Sequence, residues 1–274
     1  MHFDQLVFSG GGTRCFWHGG FMKVAEPHLD LRPKRISSVS GGALSSATWI
    51  ADREETLKRV MGEAFDRNES NVDLSSDNAT PHQEIYRQVV SDTLDDEAIE
   101  AVSDGPAFQV ALGRPPSYLP ARVGAALAIS LYELDQNVRS TPHMRLSKAA
   151  GIEMDLIDAR QAARAGKLVD LICAAATIPP VFDIPVWEDR QVIDAGTVDK
   201  APLPDPDEGP TLVLLTRKYR NLPQSERRLY IEPSEPVEAD KIDFTDRSKI
   251  ESTWKQGEED AEAWLAERGL TEPA

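Results

Sequence analysis

The chain has 274 residues, 41% of them hydrophobic, with 30 basic side chains against 46 acidic ones and a formal net charge of −16. That length supports one large domain with a real core, and that charge repels phosphate backbones and excludes nucleic acid as a partner class. It also weakens attraction to an anionic bilayer, so transient contact with a membrane surface would have to be local and apolar.

Met1-His2-Phe3-Asp4-Gln5 lacks the basic region and apolar core of a signal peptide, and no later apolar run approaches the length of a spanning helix. The expectation is a soluble, cytoplasmic protein, peripheral to a membrane at most. Cys15 and Cys173 are the two cysteines, and neither has metal-type spacing to a histidine or another cysteine. A reducing compartment fits, and no metal or cofactor is expected.

Residues 5–9, Gln-Leu-Val-Phe-Ser, read as a short buried strand that runs into Gly10-Gly11-Gly12, and residues 16–26 then read as a helix closed by Pro27. The pattern recurs: a strand over 35–39 leads into Ser40-Gly41-Gly42 and a helix over 43–51. From 54 to about 134 the periodicity predicts mostly amphipathic helix, broken at Arg114-Pro115-Pro116-Ser117, and this region is expected to be a helical insertion. Strand patterns return at 152–157, at Val192-Ile193, and at 212–216, the last continuous enough for a central parallel strand. Residues 247–267 read as a helix with Ile250, Trp254, Ala261, Trp264 and Leu265 inward, so a strand and a helix are expected over 211–268. Alternating strand and helix predict an α/β fold over 1–274, with a mostly parallel central sheet between helical layers.

The glycine loop allows several chemistries. Its backbone N–H groups, at the start of a helix, can converge on a negative atom. A dinucleotide fingerprint would need a third glycine where Cys15 stands, with Asp30 as the ribose acid, and a phosphate-binding P-loop would need a Gly-Lys-Ser/Thr that is absent. An oxyanion hole for an attacked carbonyl is a further reading, and a plain glycine turn is another.

Ser38-Val39-Ser40-Gly41-Gly42 matches a nucleophile elbow at its central serine and last glycine, with Ser38 where the first glycine is expected. Alone it reads more readily as a helix cap than as a catalytic turn; Ser37, Ser38, Ser45 and Ser46 read as turn or surface hydroxyls. A serine nucleophile needs a base. The histidines are His2, His18, His28, His82 and His143, none of which follows the acid in Val192-Ile193-Asp194-Ala195-Gly196. Asp194, after a β-branched run and before two small residues, is therefore a candidate for taking the serine proton directly, and a turn aspartate otherwise.

In this order and spacing, the glycine loop, Ser-Gly-Gly and Asp-Ala-Gly resemble the patatin-like phospholipase family. Ala174-Ala175-Ala176-Thr177-Ile178-Pro179-Pro180-Val181-Phe182 is similar to its alanine-rich segment, and the run from Asp194 to Pro202 to its acid motif. The resemblance implies a serine acyl hydrolase acting on phospholipids, lysophospholipids or related acyl esters. Ser40 would be the nucleophile and Asp194 the base, with an oxyanion loop of Gly10, Gly11, Gly12 and Arg14; Ser38, Gly41, Gly42, Ala195 and Gly196 would complete the motifs. Two departures stand out: Cys15 ends the loop where the family has glycine, inviting strain if φ must be positive there, and Ser38 takes the elbow's first glycine position. A nucleotide- or anion-binding module and a catalytically silent lipid-binding relative remain the alternatives.

Overall fold

The computed structural model describes residues 1–68, 70–71, 82–179 and 183–270. In chain order the strands are β1 (His2–Phe8), β2 (Asp30–Val39), β3 (Ala107–Arg114), β4 (Glu153–Asp158), β5 (Val186–Trp187), β6 (Arg190–Gln191), β7 (Ile193–Asp194), β8 (Thr211–Leu214) and β9 (Arg228–Ile231). The helices are α1 (Phe16–Ala25), α2 (Gly41–Ala51), α3 (Glu54–Arg67), α4 (His82–Thr93), α5 (Asp96–Asp104), α6 (Ala121–Val138), α7 (Leu146–Ala149), α8 (Ala159–Arg164), α9 (Leu168–Ala175) and α10 (Arg247–Glu267).

Alternation along the strands divides the core. Leu6 and Phe8 of β1, with Leu212 and Leu214 of β8, face the larger apolar cluster, while Val7 and Val213 face a smaller one on the opposite side. Period-two side chains on a sheet covered on both faces give this continuous apolar reading. The order is β4-β3-β2-β1-β8-β9, parallel throughout except at β3–β4. The fold is therefore α/β with a mostly parallel central sheet flanked by helices. No described helix is long and apolar enough to cross a membrane.

One expectation is corrected. The stretch 54–134 is not helical throughout: α3, α4 and α5 are followed by β3, which pairs with β2 through Arg35↔Ala107 to Val39↔Ala111. Its residues 110–114 are buried on both faces, so they carry no clean alternation and read as part of a helical run. The signal that could have found it is punctuation, Gly105-Pro106 before and Pro115-Pro116 after. Ala125 and Ala128 of α6 pack in the core against Ile152, Ile193 and Val198. The α10 residues expected to face inward are all buried. Where α10 crosses α1 the backbones nearly touch, since a Cβ on Gly257 would lie 2.8 Å from Phe21 N.

Candidate active site

β2 ends at Val39, and the chain reverses into α2 within a single residue. Ser40 makes that turn with φ 56° and ψ −137°. This conformation is natural for glycine and strained for a residue with a Cβ. It lifts the hydroxyl out of the sheet at the C-terminal ends of the parallel strands, as a nucleophile elbow requires. The glycines that follow answer to space. A Cβ on Gly41 would lie 2.7 Å from Gly12 O, and one on Gly42 would lie 2.6 Å from Ser9 O. The first turn of α2 is thus pressed against the glycine loop and the end of β1.

The loop itself is divided in its duties. Gly10 N–H donates to Lys200 O at 2.9 Å, and Gly10 O accepts from Thr216 Oγ1 at 2.9 Å, so its amide is committed to holding the loop. Gly10 still touches the turn, because a Cβ there would come within 3.0 Å of Ser40 Cβ. The N–H groups of Gly11, Gly12 and Gly41 have no acceptor among the described residues. Gly41 opens α2, where the helix dipole adds partial positive charge. The positive φ of the loop falls on Gly12, at 60°. Cys15 has φ −67°, so the strain considered for it does not arise. Its thiol donates to Ser9 O at 3.5 Å, and burial pushes its pKa well up.

Arg14 leaves the loop with Nε donating to Ala239 O at 3.3 Å, and it forms no ion pair among the described residues. Ser38 lies between Phe8 and Val110 in the strand register, on the apolar face, and its buried Oγ has no hydrogen-bond partner among the described residues. Ser37, on the other face, donates to Pro202 O at 2.5 Å.

Asp194 reaches the same place by a different route. Beyond Ala111 the edge of β3 that carried β2 is taken over by β7, with Leu112 opposite Asp194 and Gly113 opposite Ile193. Val39, Ala111 and Ala195 pack together there. Asp194 is buried, and its Oδ1 accepts from Gly196 N–H at 2.7 Å. Among the described residues neither Asp194 Oδ2 nor Ser40 Oγ makes a hydrogen bond, so an acceptor and a donor remain unspent there. Ala195 is fully buried, and a Cβ on Gly196 would meet Asp194 Oδ1 at 2.9 Å, which explains the two small residues.

No histidine competes for the base. His18 lines the same cavity as Ser40, but complete burial holds its pKa down at about 3, leaving a weak base packed edge-on to Phe8 and Trp17. His143 Nδ1 sits 2.9 Å from Asp199 Oδ1 and Nε2 3.0 Å from Tyr230 Oη, a network that fixes the segment after the acid.

A largely apolar cavity opens beside Ser40, lined by Leu44, Leu57, Met61, Ile178, Phe244 and Trp254. The sequence reading missed these residues as a group, and the one that could have been suspected is Trp254, a large apolar side chain expected to face inward. Of the alanine-rich segment, Pro180, Val181 and Phe182 lie outside the described residues. No cluster of three or more metal-ligating side chains occurs among the described residues.

The protein-family model described as patatin-like phospholipase matches residues 6–207, a span that runs from β1 through the glycine loop, the Ser40 turn and Asp194. No curated protein matches the chain.

Proposed function

Because this chain belongs to the patatin-like phospholipase family of lipid acyl hydrolases, we propose that it cleaves fatty acyl esters of phospholipids, lysophospholipids or related lipids through a Ser40–Asp194 dyad. Ser40 Oγ attacks the ester carbonyl while Asp194 Oδ2 takes its proton. The negative charge that develops on the carbonyl oxygen is met by the N–H groups of Gly11, Gly12 and Gly41, which need no reorganisation at that moment. Gly10 acts as the strut that holds them, through its bonds to Lys200 and Thr216. Collapse of the tetrahedral intermediate breaks the ester C–O bond, and the leaving alcohol recovers the proton from Asp194. Water then attacks the acyl-serine, with Asp194 again as base, and releases the fatty acid.

The observation that carries this proposal is the strained backbone at Ser40, which a helix cap would not need, set beside amides and an aspartate oxygen that have no partner among the described residues. The apolar cavity offers the acyl chain a place of the right chemistry. The same proposal has the protein act from the cytoplasm and meet membranes at their surface, in keeping with described helices none of which is long and apolar enough to cross one. A fluorophosphonate probe tests the nucleophile: wild type is labelled, Ser40→Ala is not, and persistent labelling of Ser40→Ala would overturn the assignment.

A further inference from the structure

Four of the seven large apolar side chains that stand exposed among the described residues belong to one short stretch: Tyr118 at 71%, Val123 at 52%, Leu134 at 52% and Val138 at 68%. The last three lie on α6, about three turns and then about one turn apart, so they form a stripe along a single face, with the half-buried Leu127 in the same row. The opposite face of α6 is accounted for. Ala125 and Ala128 pack on Ile193 and Val198, to either side of Asp194, and Tyr132 is buried where Lys200 and Lys241 approach its ring centre at 4.8 and 5.3 Å. A single exposed apolar residue is ordinary, whereas a stripe of them marks a surface with a partner.

The charge around this stripe is the reverse of the chain's. Residues 114–151 and 216–222 hold eight Lys or Arg against Glu133 and Asp135, in a protein with a net charge of −16. Asp135 is fully buried: its Oδ2 accepts from the N–H groups of Arg145 and Leu146 at 2.7 and 3.0 Å, and its Oδ1 lies 3.8 Å from Arg139 Nε. Glu133 is the acid left facing water on α6. Against it stand Arg122, Arg145, Lys218 and Arg220, all exposed and without an ion pair among the described residues, while Lys23, Arg53 and Arg247 are each paired. Arg220 Nη2 donates to Asn137 O at 2.7 Å, which holds that cation beside Val138. A shallow groove opens at the same end of the stripe, lined by Val138, Arg139, Thr141, His143 and Arg145, and no acid lines it. Asp199, behind His143, is buried and paired with it at 2.9 Å. The stripe also stands beside the way into the site, since Lys241 and the exposed Ile242 line the Ser40 cavity and Lys241 reaches back to Tyr132.

We propose that the outer face of α6, with Tyr118 before it and Arg122, Arg145 and Arg220 around it, is a docking surface for an anionic lipid bilayer. The apolar stripe enters the boundary between head groups and acyl chains as an interfacial helix does, and the cations meet the charged head groups. The acidity of the rest of the chain does not forbid this, because salt screens charges beyond about 8 Å. A second copy of the chain is a poorer occupant, since a two-fold contact through this face would set the same cations against one another. The inference rests on the acyl-hydrolase proposal only for why a membrane is met, and not for the surface that meets it.

Vesicle co-sedimentation of Ser40→Ala tests the surface without turnover. The protein should partition at least about tenfold more strongly onto phosphatidylcholine vesicles carrying about 30% phosphatidylserine than onto phosphatidylcholine alone, and added salt should erode the difference. Leu134→Gln combined with Val138→Gln should lower partitioning about tenfold, and Arg145→Gln and Arg220→Gln about fivefold each. Arg32→Gln, an exposed cation near the start of β2 and so at the other end of the parallel strands, should leave it unchanged. Circular dichroism shows that each variant is folded. Equal binding to both vesicles, binding that survives the α6 substitutions, or an equal loss in Arg32→Gln would overturn the docking surface. Sedimentation equilibrium adds one more outcome: a dimer that dissociates in the Leu134→Gln, Val138→Gln variant would give the face to a second copy and overturn the proposal as well. Absence of ester hydrolysis by wild type, with the vesicle binding and its pattern intact, would instead remove the hydrolase proposal and leave the docking surface standing. Hydrolysis of a short soluble ester without vesicle binding would do the reverse.

Discussion

Val39 and Asp194 stand one residue apart along a single edge of β3, Val39 opposite Ala111 and Asp194 opposite Leu112. The edge changes hands where β2 leaves it at Ser40, and the strand that takes over ends in the acid. Serine and aspartate are thereby placed by hydrogen-bonded register, the most rigid positioning a sheet offers.

The first prediction concerns that pair. Ser40→Ala and Asp194→Asn should each lower kcat/KM on a short chromogenic ester by at least about a thousandfold, and the double variant should be no worse than the poorer single one, as residues acting as a unit behave. Circular dichroism should report an intact fold for all three. Additive losses would argue that the two groups act in separate steps.

A second prediction separates stability from activity at the same residue. The Ser40 backbone, at φ 56° and ψ −137°, suits glycine. Relief of about 1–3 kcal/mol of strain, less about 0.5–1 kcal/mol for the freer unfolded chain, leaves Ser40→Gly more stable than wild type by roughly 1 kcal/mol. Thermal melts of Ser40→Gly beside Ser40→Ala measure it, and a lower melting temperature for the glycine variant would contradict the strain.

Ser38 gives a third. Its hydroxyl is buried between Phe8 and Val110 without a partner among the described residues. Removing an unsatisfied buried hydroxyl recovers part of its desolvation cost, so Ser38→Ala should be as stable as wild type or up to about 1 kcal/mol more so, with esterase activity retained. Urea titration decides it, and a loss above about 1 kcal/mol would mean the hydroxyl has a structural partner.

The fourth is a pH dependence. Burial, with the nearby Glu26 and Asp52 charges, raises the Glu54 pKa to about 7. Between the ordinary carboxylate value and 7 the folded state holds a proton that the unfolded chain has released, so stability falls as pH rises through that window. Glu54→Gln should therefore be more stable than wild type at pH 8.5, by on the order of 2 kcal/mol. The gain should be mostly gone at pH 5. Denaturation curves at the two pH values check this, and an equal difference at both would remove Glu54 as the titrating group.

The sequence by itself determined the two strand–turn–helix units, because each is local: an apolar strand, small residues where the backbone must turn sharply, and a helix at once after. It also singled out Ser40 and Asp194 as candidates and fixed α10, whose buried face follows helical period closely. What it misread was non-local. β3 is buried on both faces by elements distant in sequence, so its pattern lost the alternation that marks a strand. Gly10 looked equivalent to Gly11 and Gly12 until Lys200 O and Thr216 claimed its peptide groups. Periodicity and turn chemistry are written in neighbouring residues, whereas the register that brings Asp194 behind Val39 exists only once the sheet has closed its long-range pairings.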